Sequence, residues 1–156
     1  MDLLTFALDN TRFAFPAERV VQVVQMVAIS PLAGAPTVVE GVVNVRGTMM
    51  PVLDLRGRLG LPARALDPTQ HLVILAAGSR TAAVRVDAVD EFVSIPDSDV
   101  TPSGQLADSA IGGVSSPYVS GVAATADGTT VIYDLAAFLS LSESSNLDVA
   151  MARTGG

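Results

Sequence analysis

The sequence predicts an all-β fold with short helices, arranged as two pseudo-symmetric five-stranded barrels, closed or nearly closed. Three observations carry this. Residues 41–61, GVVNVRGTMMPVLDLRGRLGL, are echoed at an offset of 80 by residues 121–141, GVAATADGTTVIYDLAAFLSL, with identities at Gly41/Gly121, Val42/Val122, Asp54/Asp134, Leu55/Leu135, Leu59/Leu139 and Leu61/Leu141. At an offset of 69, residues 3–24 lie over residues 72–93, and Leu3/Leu72, Ala14/Ala83, Val20/Val89 and Val24/Val93 coincide. Such internal repetition marks duplicated architecture. Finally, the chain divides into short β-branched or alternating runs punctuated by turn residues, five per half. Closing small sheets of this kind removes their exposed edges.

Taken in order, the first-half strands are expected at Leu3–Leu8, Arg12–Phe15, Val20–Val27, Gly41–Arg46 and Met49–Asp54. In the second half they fall at His71–Ala77, Thr81–Val86, Phe92–Ile95, Gly121–Thr125 and Thr129–Tyr133. Asp9-Asn10-Thr11, Gly78-Ser79-Arg80 and Asp127-Gly128 read as hairpin turns. Each half then closes with a short helix, LRGRLGL and LAAFLSL, begun by Asp54 and Asp134, whose carboxylates suit a helix N-terminus. The offset grows because of an extra loop at about Asp97–Pro117, rich in Ser, Gly, Asp and Pro. The expected organisation is one domain over 1–141. Lobe one spans about 10–70 and lobe two about 71–135, with exchange of the N-terminal strand between them and a flexible tail at 142–156.

Composition narrows the function. Apolar residues make up 49% and charged residues 16%, enough for a sizeable core. No apolar run approaches the roughly 18 residues of a membrane span, so no direct membrane insertion is expected. The start has no basic region ahead of an apolar stretch, so no signal peptide is read. Cysteine is absent, which excludes disulfide and thiol chemistry and fits a cytoplasmic location. Net charge is −7, with six acids and six arginines in residues 1–70 but ten acids and three arginines after them. Without clustered cations, nucleic acid is not an expected partner.

Enzymatic signals are thin. His71 stands at a strand start beside no nucleophile motif, and general-base work needs an oriented partner. The acids Asp87, Asp90, Glu91, Asp97 and Asp99 lack the spacing of a calcium loop and read as a solvated strand face and loop. Asp54 and Asp134 recur in both copies and read as structural. No metal site, cofactor fingerprint or phosphate loop is present in the sequence.

Asn44-Val45-Arg46-Gly47 is absent from the second copy. Alternation places Val43 and Val45 on one face and Asn44 and Arg46 on the other. Gly47 permits a turn or a close approach of backbone. Two readings stand at this point: a buried arginine tying a local loop through carbonyls, or an arginine whose fork is presented to a partner.

The run GVVNVRGTMMPVLDLRGRLGLP strongly resembles the signature of CheW-like domains, and further agreement spreads over residues 3–141. The resemblance implies two SH3-like barrels, no catalytic activity, no cofactor, and an adaptor that couples chemoreceptors to their histidine kinase. It implies that a groove between the barrels grips the receptor's cytoplasmic hairpin tip, while a barrel end docks the kinase's regulatory domain, as in CheA-type kinases. Carried over by position, Val20, Arg46 and Val86 would line the groove, and Gly41, Asn44 and Gly47 would shape the signature turn. Gln22, where family members usually carry Glu, would meet a partner as a neutral hydrogen bonder. Two alternatives remain: an adaptor of a non-flagellar chemosensory pathway controlling surface motility or gene expression, and a small-molecule-binding barrel or hydrolase using Asp87 and His71.

Overall fold

Alternating residues in this chain have two apolar destinations, which is why so few strand positions are polar. The computed structural model describes residues 1–77, 80–102, 118–125, 128–138 and 141–154. The first half contributes β1 (Asp2–Leu8), β2 (Thr11–Pro16), β3 (Val20–Gln25), β4 (Val39–Val45) and β5 (Thr48–Leu53). The second contributes β6 (His71–Ala77), β7 (Arg80–Val86), β8 (Ala88–Ser94), β9 (Val100–Pro102), β10 (Val119–Thr125) and β11 (Gly128–Tyr133). A helix, α1 (Leu141–Thr154), follows. All ten predicted strands are present, with ends displaced by a few residues.

The strands form two sheets, ordered β3-β6-β7-β5-β4 and β8-β1-β2-β11-β10-β9. The second has six strands instead of five, because β9, inside the predicted extra loop, pairs with β10. Asp97–Asp99 of that loop form a 3-10 turn, and residues 103–117 lie outside the described residues. Neither sheet closes by hydrogen bonding, so the expected barrels are open, although each curls over its own core. In the first lobe Val43, Val45, Met50, Val52, Leu72, Ile74 and Ala83 pack inside, joined by Val24 of the opposite edge. In the second, Leu3, Ala14, Ile95, Ala123 and Ile132 do the same.

The alternate residues meet between the lobes. Leu4, Phe6, Phe13 and Phe15 of one sheet bury against Val73, Leu75, Val84 and Val86 of the other. Phe6 and Phe15 stack at 4.8 Å between ring centroids. This inter-lobe layer is the largest apolar cluster, so the lobes share one continuous core.

The expected lobe boundaries need correction. β1 and β2 join the second-half strands, and β6 and β7 join the first-half strands. Each half therefore gives its leading hairpin to the other lobe, reciprocally, and no cut near residue 70 separates the sheets. The register keeps the pseudo-symmetry: β5 runs parallel to β7 with Val52 opposite Ala83, and β11 runs parallel to β2 with Ile132 opposite Ala14. The edge strands bulge at equivalent places, between Val20 and Gln22 against β6 and opposite Thr5 in β1. Buried Thr5 satisfies the second bulge: its hydroxyl donates to the Glu91 carbonyl at 3.1 Å and accepts the Glu91 N–H at 3.3 Å.

Two further expectations need local correction. The first copy's short closing helix is instead a turn at residues 56–60, whereas the second copy's is present as a 3-10 helix, Leu135–Phe138. The aspartates still cap: Asp54 Oδ1 accepts the Arg56 N–H and Asp134 Oδ1 accepts the Ala136 N–H, each at 3.1 Å. The tail expected at 142–156 is helical through residue 154, as part of α1. Its Leu147 is fully buried in the inter-lobe core and Ala150 nearly so. Arg58 pairs with Glu143 and Arg80 with Asp148, fixing the helix to the first lobe.

Candidate functional site

β4 and β5 pair antiparallel with Val45 opposite Thr48, leaving Arg46-Gly47 as a two-residue loop. Both loop residues have positive φ, 51° and 87°, the combination of a type I′ hairpin turn. Gly47 adopts this freely, whereas Arg46 does so at a cost of roughly 1–2 kcal/mol. The Asn44 side-chain oxygen accepts the Gly47 N–H at 2.8 Å and holds the turn. Arg46 is exposed, and its guanidinium has no hydrogen-bond or ion-pair partner among the described residues. The reading of a buried arginine tying a loop is therefore excluded. Met49, paired with Asn44 and 39% exposed, places an apolar surface beside the cation. Sequence reasoning did not single out Met49, although alternation from buried Met50 points it outward.

Val20 and Gln22 lie on β3, the opposite edge strand of the same sheet, both half-buried. Val21 between them is 59% exposed, turned outward by the bulge. These two positions and the β4–β5 tip belong to the first lobe. Val86 does not join them as a surface residue. It is 0% exposed within the inter-lobe core, because β7 is a central strand covered on both faces. Gly41 needs correction too: it lies inside β4, not in the turn. A Cβ there would sit 2.1 Å from the Ser30 carbonyl oxygen, where the Ser30–Val42 bridge crosses the strand. Gly121 plays the same part beside the Thr101 carbonyl oxygen, at 2.9 Å. The shared glycine of the echo thus records a close backbone crossing.

Below the tip's strands lies a buried polar cluster. Arg56 pairs with Asp87 and, at 2.7 Å, with Asp9, and also donates to the Pro62 carbonyl. Arg64 reaches Asp87 at 3.0 Å, and the Gln70 amide donates to the same carboxylate. Arg85 binds Glu40, Asp54 and the Gln70 carbonyl oxygen. Burial alone would raise the pKa of Asp87, but Arg56, the Asp9 N–H and Gln70 overcome it and lower the value to about 2. Burial raises that of Glu40, against the pull of Arg85. Asp87 is thus no solvated strand acid, unlike the exposed Asp90, Glu91, Asp97 and Asp99. A carboxylate held this firmly is poorly placed to shuttle protons. His71 is half-buried at the start of β6, opposite Gln25, and takes no part in the cluster.

Among the described residues no group of acids and histidine gathers to hold a metal, and no helix is long and apolar enough to cross a membrane.

Comparison with known proteins agrees with this geometry. A family model described as CheW-like domain matches residues 2–143. The chain is 32% identical over 108 residues to "Chemotaxis protein CheW" of Rhizobium meliloti, covering 68% of each chain. It is 23% identical over 147 residues to the protein of that name from Klebsiella aerogenes, covering 94% of this chain and 86% of the other. "Protein FrzA" of Myxococcus xanthus is 31% identical over 101 residues, covering 65% and 62%. Among solved structures, the scaffolding protein TtCheW from Thermoanaerobacter tengcongensis superimposes with a TM-score of 0.75 at 27% identity, covering 86% of this chain and 88% of that one.

Proposed function

Because the chain belongs to the CheW-like domain family, we propose that it serves as a non-enzymatic scaffold coupling chemoreceptors to a CheA-type histidine kinase. The observation that carries the reading is the β4–β5 tip, where an exposed arginine, without a partner among the described residues, is held in a left-handed conformation by Asn44 and Gly47. Strain of this sort is retained where the geometry is used. The tip, with Met49, gives a directed bidentate donor beside an apolar surface, which suits a helical receptor tip carrying carboxylates or free carbonyls. Gln22 and Val20 on β3 form a second contact edge, and exposed Val21 extends it. The kinase's regulatory domain docks on a lobe end, and the complex assembles on the cytoplasmic side.

The test is reconstitution of receptor, kinase and this protein. Arg46→Glu should remove receptor-stimulated phosphorylation while the variant melts like the parent. Stimulation that survives the charge reversal would overturn the assignment of the tip. A second reading, service in a pathway governing surface motility or gene expression, is favoured by the likeness to FrzA, whose name does not specify chemotaxis. Deletion followed by separate swimming and surface-spreading assays distinguishes the two.

A further inference from the structure

The duplication gives side chains in one half counterparts in the other, and the contrast is greatest at the buried ion cluster. Its core members are Glu40, Asp54, Arg56, Gln70, Arg85 and Asp87. Through the offsets of 80 and 69, their counterparts are Ser120, Asp134, Ala136, Met1, Pro16 and Glu18. All six counterparts line one cleft of about 340 Å³ at the opposite end of the lobe interface. The cluster side also opens a cleft, of about 420 Å³ and lined by Glu40, Asp54 and Arg56, but there the chain supplies the guanidinium itself, whereas the cleft on the other side of the pseudo-two-fold has lost it.

The exchange of residues is selective. Both buried guanidinium groups are gone, since Ala136 stands for Arg56 and Pro16 for Arg85. Two of the three carboxylates remain: Asp134 for Asp54 and Glu18 for Asp87. Neither carboxylate makes an ion pair among the described residues; Asp134 only caps the Ala136 N–H. Arg19 stands at the rim, exposed and paired with neither. Phe15, Leu75 and Leu135 add apolar lining to the same cleft.

We propose that this cleft docks one arginine side chain of a partner protein, whose guanidinium takes the place Arg56 fills in the other half. The chemistry fits on both counts. A planar guanidinium bridges two separated carboxylates, and its three-methylene stem lies well along an apolar wall. Lysine, a compact point charge, satisfies the pair less well. The cleft shares no residue with the β4–β5 tip, so its failure would leave the adaptor reading untouched.

The experiment is a two-dimensional NMR titration of the full chain with acetyl-Gly-Arg-Gly-amide, against the same peptide with neutral citrulline in place of arginine. The arginine peptide should give saturable shifts at the amides of Ser120, Leu135 and Ala136, and citrulline should bind roughly tenfold more weakly. The double variant Glu18→Gln, Asp134→Asn should show a comparable loss, since Asn preserves the cap on Ala136. Ala136→Arg should abolish binding by filling the cleft from within. Absence of saturable shifts, or equal binding of the two peptides, would overturn the proposal. So would undiminished binding by a folded Ala136→Arg chain; if that variant does not fold, the double variant decides.

Discussion

Asn44 and Gly47 are joined by a 2.8 Å hydrogen bond that closes the β4–β5 turn and leaves Arg46 facing outward, without a partner among the described residues. Support and contact are thus divided between neighbours. Arg46→Gly relieves a left-handed non-glycine residue but frees the unfolded chain, and the two effects are of similar size, about 1 kcal/mol. Melting temperature should move little while receptor co-sedimentation is lost. Asn44→Ala should do the opposite in part, lowering stability by about 1 kcal/mol and weakening binding less than Arg46→Glu does. Thermal melts run beside the binding assay measure both.

Gly41→Ala should be costly although alanine is small. Its Cβ would meet a backbone carbonyl 2.1 Å away, and backbone cannot swing aside as a side chain does. A loss of about 2–3 kcal/mol is expected in urea unfolding. Gly121→Ala, with 2.9 Å available, should cost less. Equal costs at the two sites would count against the crossing as the reason for the repeated glycine.

Acid should loosen the lobe interface in a defined window. The Asp87 carboxyl is lowered from 3.8 to about 2, so its stabilisation is present above pH 4 and is lost as pH falls towards 2. The size is roughly 2 kcal/mol. Glu40 acts in the opposite sense: its raised pKa withdraws stability as pH climbs past 4.5. Asp87→Asn should destabilise the chain at neutral pH, because Arg56 loses its main buried partner. The difference from the parent should shrink towards pH 2, as unfolding curves at several pH values would reveal.

Removing the buried contact of α1 should matter more than removing its surface charges. Leu147→Ala should cost about 2–4 kcal/mol, since Leu147 is fully enclosed. Glu143→Gln should cost no more than about 1 kcal/mol, because a partly exposed ion pair contributes little. If the two rank the other way in chemical denaturation, α1 is held by charge and not by packing.

What the sequence disclosed follows from how local each signal is. Strand positions were legible because period-two patterns such as Val43-Asn44-Val45 survive in the fold, and the echo located the framework. Val86 was misplaced on the surface because a valine in a central strand looks the same in sequence as one lining a groove. The tail concealed α1 because its buried stripe is sparse, with Leu147, Ala150 and Met151 among polar neighbours. Asp87 passed for a solvated acid because its partners Arg56 and Arg64 stand 31 and 23 positions away. Ion pairing at that range leaves no periodic trace. The Asn44–Gly47 tip was the most legible part of the candidate site, since a Gly-bearing loop between paired strands is a local signal.

The reciprocal exchange of leading hairpins has a consequence for ancestry. A single repeat on its own would hold three strands of one sheet and two strands that belong to another. It could satisfy every pairing seen here only by trading that hairpin with a second molecule, as a swapped dimer. Joining the two genes end to end would then fix the partner at an effective concentration no mutation could dilute. It would also free the halves to diverge, one keeping an arginine outside at the tip and the other losing those within.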